Sequence, residues 1–144
     1  MNNKKGQAAM EFMATYGWAL LAIVVAISAL ATFGVLNADK FIPERCLMFP
    51  GVACLSHKAT VDTTTVVLQN SIGQTMLITN LEVGSCTAYT SATSISNGGK
   101  STFTLTGCDN GATGSKLKTD INMTYRDEEV VYHTKFGDLI TTVE

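Results

Sequence analysis

The residues whose chemistry constrains this sequence most are one glutamate and a set of cysteines. Glu11 lies just inside an apolar run, and residues 12–38 contain no Asp, Glu, Lys, Arg or His. A carboxylate in an apolar environment is costly unless it has a partner. We therefore expect Glu11 to lie at a water boundary or to pair with a positive group.

The cysteines predict a disulfide-bonded domain that lies outside the cytoplasm. Their number is even and all follow the apolar run: Cys46, Cys54, Cys86 and Cys108. Four cysteines allow three pairings. We favour Cys46–Cys54, because Pro50-Gly51 between them can reverse the chain. We also favour Cys86–Cys108, whose midpoint falls in the turn-forming stretch Asn97-Gly98-Gly99.

Other polar residues show no sign of catalysis or metal binding. The sequence has no nucleophile elbow, phosphate-binding loop or HExxH motif. A zinc site is disfavoured because no CxxC pair exists and His57 and His133 lie far from a paired set of cysteines. The carboxylate run Asp127-Glu128-Glu129 is typical of a solvated turn. We predict no enzymatic activity, no metal and no cofactor.

The chain divides into an apolar segment and a body of ordinary composition. Apolar residues make up 46% of the 144 residues and charged residues only 15%, and the apolar excess is concentrated near the N-terminus. We expect a helix over 7–42, ended by Pro43, which exceeds the roughly 20 residues that cross a bilayer. Lys4 and Lys5 place its start in the cytoplasm and the body, 43–144, outside. The net charge of −2 gives no sign of a nucleic-acid partner.

The body reads as an antiparallel β-sandwich of about seven short strands. Alternating Thr-rich stretches place apolar side chains on one face of each strand. A change of phase in TMLITNLEV predicts a β-bulge near Thr79-Asn80. The residues expected to face inward are Val66, Leu68, Phe103, Leu105, Ile121, Met123 and Tyr125.

One possible modification site lies in this body. Asn122-Met123-Thr124 is an N-x-T sequence, a candidate for N-glycosylation. Asn122 alternates with inward residues, so we expect it to face solvent.

The apolar segment leaves three functions open. It can be a permanent single-span anchor, or a secretory signal peptide cleaved after Ala29-Leu30-Ala31. The third possibility is a prepilin-type segment, in which a short leader is removed before the helix and the helix stays on the protein. The length of the apolar run and the presence of Glu11 disfavour a secretory signal.

The residues that open the chain resemble a known class of signal sequence. The basic leader MNNKKG, then Gln7, Glu11 and an unbroken apolar helix, resembles the class III signal of archaeal type IV pilins, and QAAMEFMATYGWALL is similar to one branch of them. The resemblance implies that a membrane aspartic prepilin peptidase cuts between Gly6 and Gln7. It also implies subunits that leave the membrane and stack with their helices inside, and an immunoglobulin-like β body.

The sequence therefore predicts an α+β protein with a leader, 1–6, a long apolar helix, 7–42, and an immunoglobulin-like β-sandwich, 43–144. The predicted function is that of a structural subunit of an extracellular pilus, with the peptidase, the assembly machinery and other copies of the chain as partners. Glu11 is predicted to pair with the new α-amine of an adjacent subunit. The alternative is a single-span, membrane-anchored β-sandwich that binds a ligand.

Overall fold

A computed structural model describes residues 3–34 and 41–144 of the chain, with side chains from Gly6 onward. The chain forms two compact units, Met1–Ile42 and Pro43–Glu144. Among the described residues, the first unit contains one long helix and the second is built from β-strands, so the protein belongs to the α+β class. Each unit is described by itself.

The helix of the first unit, α1, spans Asn3–Thr32. It ends because Gly34 adopts a left-handed conformation, with a φ of 70°, and its amide donates to the Ala31 carbonyl at 3.1 Å. Glycine reaches this conformation without the steric cost of a Cβ atom and often follows a helix end. The prediction that the helix continues to Ile42 is therefore wrong. The part of that prediction over 35–40 lies outside the described residues.

The second unit, which we call the body, consists of two antiparallel sheets. The five-stranded sheet has the order β1-β8-β7-β4-β5 and the three-stranded sheet the order β2-β3-β6. The strands are β1 (Arg45–Leu47), β2 (Val52–Ala59), β3 (Thr63–Asn70), β4 (Met76–Val83), β5 (Thr93–Ile95), β6 (Lys100–Thr106), β7 (Lys116–Arg126) and β8 (Tyr132–Thr142).

The apolar alternation of the strands builds one core between the two sheets. Every residue predicted to face inward is buried, including Phe103 of the three-stranded sheet and Met123 of the five-stranded sheet. The register of β4 against β7 shifts between Ile78 and Asn80, which confirms the predicted bulge. All of this core lies within Pro43–Glu144, so the body carries the apolar contacts that it needs to fold alone.

A buried asparagine joins the two sheets at one end of the core. Asn70, which has no exposed surface, ends β3. Its Nδ2 donates at 2.8 Å both to the Gln74 carbonyl and to the Ile95 carbonyl on β5, and its Oδ1 accepts from the Ile72 amide. These three bonds satisfy backbone groups that would otherwise be buried without partners.

We predict that Asn70→Ala lowers the free energy of unfolding of the body by about 3 kcal/mol, because it leaves two carbonyls and one amide unpaired. Urea denaturation of the fragment 43–144 measures the loss. The matched control is Gln69→Ala, which removes an exposed bond to the Gly98 carbonyl and should change stability by less than about 0.5 kcal/mol. Equal effects of the two substitutions would contradict this role for Asn70.

Candidate functional sites on the helix and the body

The helix presents an apolar surface that no described residue of its own unit covers. Gly6–Thr32 is long and apolar enough to cross a membrane, and none of its most apolar stretch is buried. Trp18 is 77% exposed, and apolar side chains on the other sides of the helix are exposed as well. By length and composition this helix fits either a membrane anchor or a signal sequence.

The Ser and Thr hydroxyl groups in this apolar stretch bond to the helix itself. Thr15 Oγ1 donates to the Glu11 carbonyl at 2.8 Å, and Ser28 Oγ donates to the Val24 carbonyl at 2.7 Å. Thr32 Oγ1 likewise donates to a carbonyl of the preceding turn. Such bonds let hydroxyl side chains sit in an environment without water.

Glu11 differs from these hydroxyl side chains. Its side chain is exposed, and among the described side chains it makes no hydrogen bond or ion pair. The proposed cleavage point between Gly6 and Gln7 lies in the helix, four residues before Glu11, while the side chains of Lys4 and Lys5 lie outside the described residues. The carboxylate is thus the one acidic group on this apolar helix, and its role in assembly stays a prediction.

The face around Gly17 is open to a neighbouring helix. A Cβ atom added at Gly17 would meet nothing within 4 Å, and a shallow groove there is lined by Met13, Trp18 and Leu21. Small residues of this kind let the backbones of two apolar helices approach closely.

Both predicted disulfides are present in the body. Cys46 is bonded to Cys54 and Cys86 to Cys108. The prediction that His57 lies far from the cysteines is wrong, because a ring nitrogen of His57 lies within 4.8 Å of the Cys46 and Cys54 sulfur atoms. Because these sulfur atoms are bonded to each other, they do not offer the thiolates that zinc prefers.

A second buried asparagine, which the sequence did not reveal, anchors the loop after Cys108. Asn110 Nδ2 donates to the Thr60 carbonyl at 2.7 Å and to Thr64 Oγ1 at 2.9 Å. Thr64 Oγ1 in turn lies 3.5 Å from Cys86 Sγ. The disulfide and β3 are therefore held in one polar cluster inside the apolar core.

The candidate glycosylation site lies on the outer face of the five-stranded sheet but is not freely exposed. Asn122 is half-buried, its Nδ2 donates to Glu82 Oε2 at 3.1 Å, and its Oδ1 is buried with no partner among the described residues. Asn122 therefore lies on the solvent side of the sheet, as expected, but it is partly covered because β7 is a central strand flanked by β4 and β8. A glycan on Nδ2 would require its bond to Glu82 to break.

The carboxylate run forms the turn between β7 and β8, as predicted, but Asp127 is not simply solvated. Its side chain is only 11% exposed, its Oδ2 lies 2.9 Å from His133 Nε2, and its Oδ1 accepts from the Val131 amide. The hydrogen bond from His133, followed by the one from Val131, lowers the pKa of Asp127. His133, the second residue of β8, also stacks on Tyr125 of β7, so its ring is held beside the turn by both neighbours.

No protein-family model matches this chain, and no curated protein matches it with significance.

We predict that Asp127 titrates below its ordinary value of 3.8 in the folded body. Because its folded pKa is lowered, Asp127 stabilises the turn above that value, and this contribution is lost as the pH falls through the folded pKa. NMR titration of the side-chain carboxyl carbon measures the midpoint. His133→Gln should raise it, whereas Lys135→Gln, which removes a charge from the same strand, should change it less. An unchanged midpoint in His133→Gln would contradict the assigned cause.

Proposed function

We propose that this protein is the structural subunit of an extracellular filament of the type IV pilus class, made as a precursor and polymerised through α1. The observation that carries the proposal is an apolar helix, exposed on all sides and bearing one carboxylate near its start, joined to a disulfide-bonded β body. The resemblance of MNNKKGQAAMEF to archaeal prepilin signals supports the same function.

The exposed helix explains why the subunit would polymerise. Burying a Leu, Ile, Val or Phe side chain stabilises a protein by about 1.5–3 kcal/mol, so leaving many of them in water is unfavourable. A bilayer covers them before assembly. In a bundle of neighbouring helices the same side chains are covered by other copies, and the close approach that Gly17 permits favours such packing.

Glu11 would fix the axial position of each subunit in that bundle. Removal of 1–6 creates an α-amine on Gln7, which is mostly protonated at neutral pH because its ordinary pKa is about 7.7–8.0. Pairing this amine with Glu11 of an adjacent copy satisfies two charges that are each costly in an apolar bundle. A slipped register leaves both unpaired, so the pair favours one arrangement of subunits.

The proposed location of the body outside the membrane follows from the two lysines before the apolar segment and from the disulfides after it. Lys4 and Lys5 hold the N-terminus on the cytoplasmic side of the membrane in the precursor, and the body lies outside. Disulfides persist in that compartment. The partners in this proposal are other copies of the chain, a prepilin peptidase and the machinery that draws subunits out of the membrane.

The strand order supports an immunoglobulin-like interpretation of the body. The three-stranded sheet β2-β3-β6 corresponds to strands A, B and E of that fold. In the other sheet, β4, β7 and β8 correspond to strands C, F and G, with β7 in the centre as F is. We propose this relationship on topology alone.

A second candidate function is a single-span, membrane-anchored binding module. It uses the same observation, because an uncleaved helix of this length also anchors a body outside the membrane. The two proposals differ in the first residue of the mature chain and in whether α1 is covered by lipid or by other copies.

We predict that the mature chain begins at Gln7. Mass spectrometry of the N-terminal peptide from native cell envelopes measures this, provided that a cyclised glutamine is included in the search. A start at Met1 would support the anchored module instead. A start at Thr32 would show that the segment is a secretory signal, which would end the filament proposal.

We also predict that Glu11→Gln leaves membrane insertion intact but lowers the yield of filaments about tenfold, because each α-amine loses its partner. Filaments are counted by electron microscopy, and insertion is followed by membrane fractionation. The matched control is Glu129→Gln, the same substitution at an exposed carboxylate of the body. Normal filament numbers in Glu11→Gln would contradict the pairing.

A further inference from the structure

The body has an open sheet edge along the first half of β8. Strand β8 pairs with β7 over its whole length, but β1 pairs only with Asp138–Ile140 on its other side. Among residues 41–144, no strand pairs with Tyr132–Phe136 on that side. Backbone N–H and C=O groups that point away from β7 are therefore free to pair with another strand.

The exposed apolar residues of the body concentrate at this edge. Of its seven exposed large apolar residues, three lie in 131–136 and one lies at the end of β1. Tyr132 and Phe136 are 62% and 67% exposed. The four are Leu47, Val131, Tyr132 and Phe136, and the three that lie elsewhere are Leu55, Val61 and Val130, which faces Leu77 and Ser94 on the β4–β5 side. Such a concentration marks an interaction surface.

We propose that this edge pairs with the same edge of a second copy of the chain, antiparallel, with Thr134 opposite Thr134. A second copy is the expected partner because the stretch 132–136 matches its own reverse, with an aromatic residue at each end and Thr134 in the middle. In that register Tyr132 lies opposite Phe136 of the second copy, and Phe136 lies opposite its Tyr132. Aromatic pairs and Thr–Thr pairs are among the favourable cross-strand neighbours.

The other face of the paired strands is also compatible with this register. Lys135 lies opposite His133 of the second copy, and that His133 is bound to the Asp127 carboxylate. The lysine therefore approaches an acid–histidine pair rather than an isolated cation. A charged residue that would otherwise discourage edge pairing gains a carboxylate nearby.

The length of the open edge matches the strand that it would accept. Strand β1 leaves β8 where Leu47 pairs with Asp138, and the Leu47 carbonyl and Met48 lie against Gly137. If residues 132–136 of a second copy paired with these five open positions, the β7–β8 turn of that copy would lie next to the end of β1. In this register Val131 of the second copy lies opposite Gly137 and therefore next to Leu47, which is 51% exposed.

Pairing in this register has two-fold symmetry, so it closes after two copies. It does not depend on α1, and the pairing of isolated bodies does not rest on the proposed filament. If the chain is a filament subunit, the contact joins bodies of two filaments, and many weak contacts along them act together.

The test uses the fragment 43–144, whose core and disulfides are complete, and sedimentation equilibrium as the measurement. Tyr132→Lys with Phe136→Lys places like charges opposite each other and should raise the dimer dissociation constant about tenfold or more. Tyr132→Lys with Phe136→Glu places opposite charges opposite each other. It should retain dimers at low salt and lose them at high salt.

The matched control is Leu55→Lys with Val61→Lys, which adds the same two charges at two exposed apolar residues outside the edge and should leave the dissociation constant unchanged. Near-ultraviolet circular dichroism checks that each variant is folded. A wild-type fragment that stays monomeric at its highest soluble concentration would overturn the proposal. Equal losses in the Lys/Lys and Lys/Glu variants would overturn the proposed register.

Discussion

The exposed surface of α1 is the constraint on which the rest of the molecule's behaviour depends. A helix that is apolar on every side has no face that prefers water, so something outside it must cover it. Its Ser and Thr hydroxyl groups bond to its own backbone, which lowers the cost of burying them in lipid or protein. Within Gly6–Thr32 Glu11 is the single charged residue, and a single charge in an otherwise apolar surface specifies position more than it adds stability.

The body differs from α1, because its core, its disulfides and its buried hydrogen bonds all join residues of the body to one another. Two disulfides, a core shared by both sheets and two buried asparagines are all contained in Pro43–Glu144. Asn70 and Asn110 satisfy backbone carbonyls at sites where water is excluded. In the proposed precursor, such a body can fold outside the membrane while α1 is held in lipid.

Local patterns in the sequence predicted most of the fold, because strand alternation, the bulge and the disulfide partners depend on spacing along the chain. The end of α1 was mispredicted because Pro43 was expected to end the helix, whereas the left-handed conformation of Gly34 ends it earlier. The bond of Asn110 to Thr64 on β3 and the bond of Asn122 to Glu82 join residues that are 46 and 40 positions apart. No local pattern encodes such contacts. The open edge depends on the unequal lengths of β1 and β8.

Strand length also determines how far edge pairing can extend. Joining two copies along β8 places both copies of β5 at the outer edges of the combined sheet. Strand β5 has only three residues, and the next part of β4 is covered because Leu81 pairs with Tyr89. Short and covered edges do not template further strands. The same sheet that is open along β8 is therefore protected at its other side, which favours a closed pair over an extended aggregate.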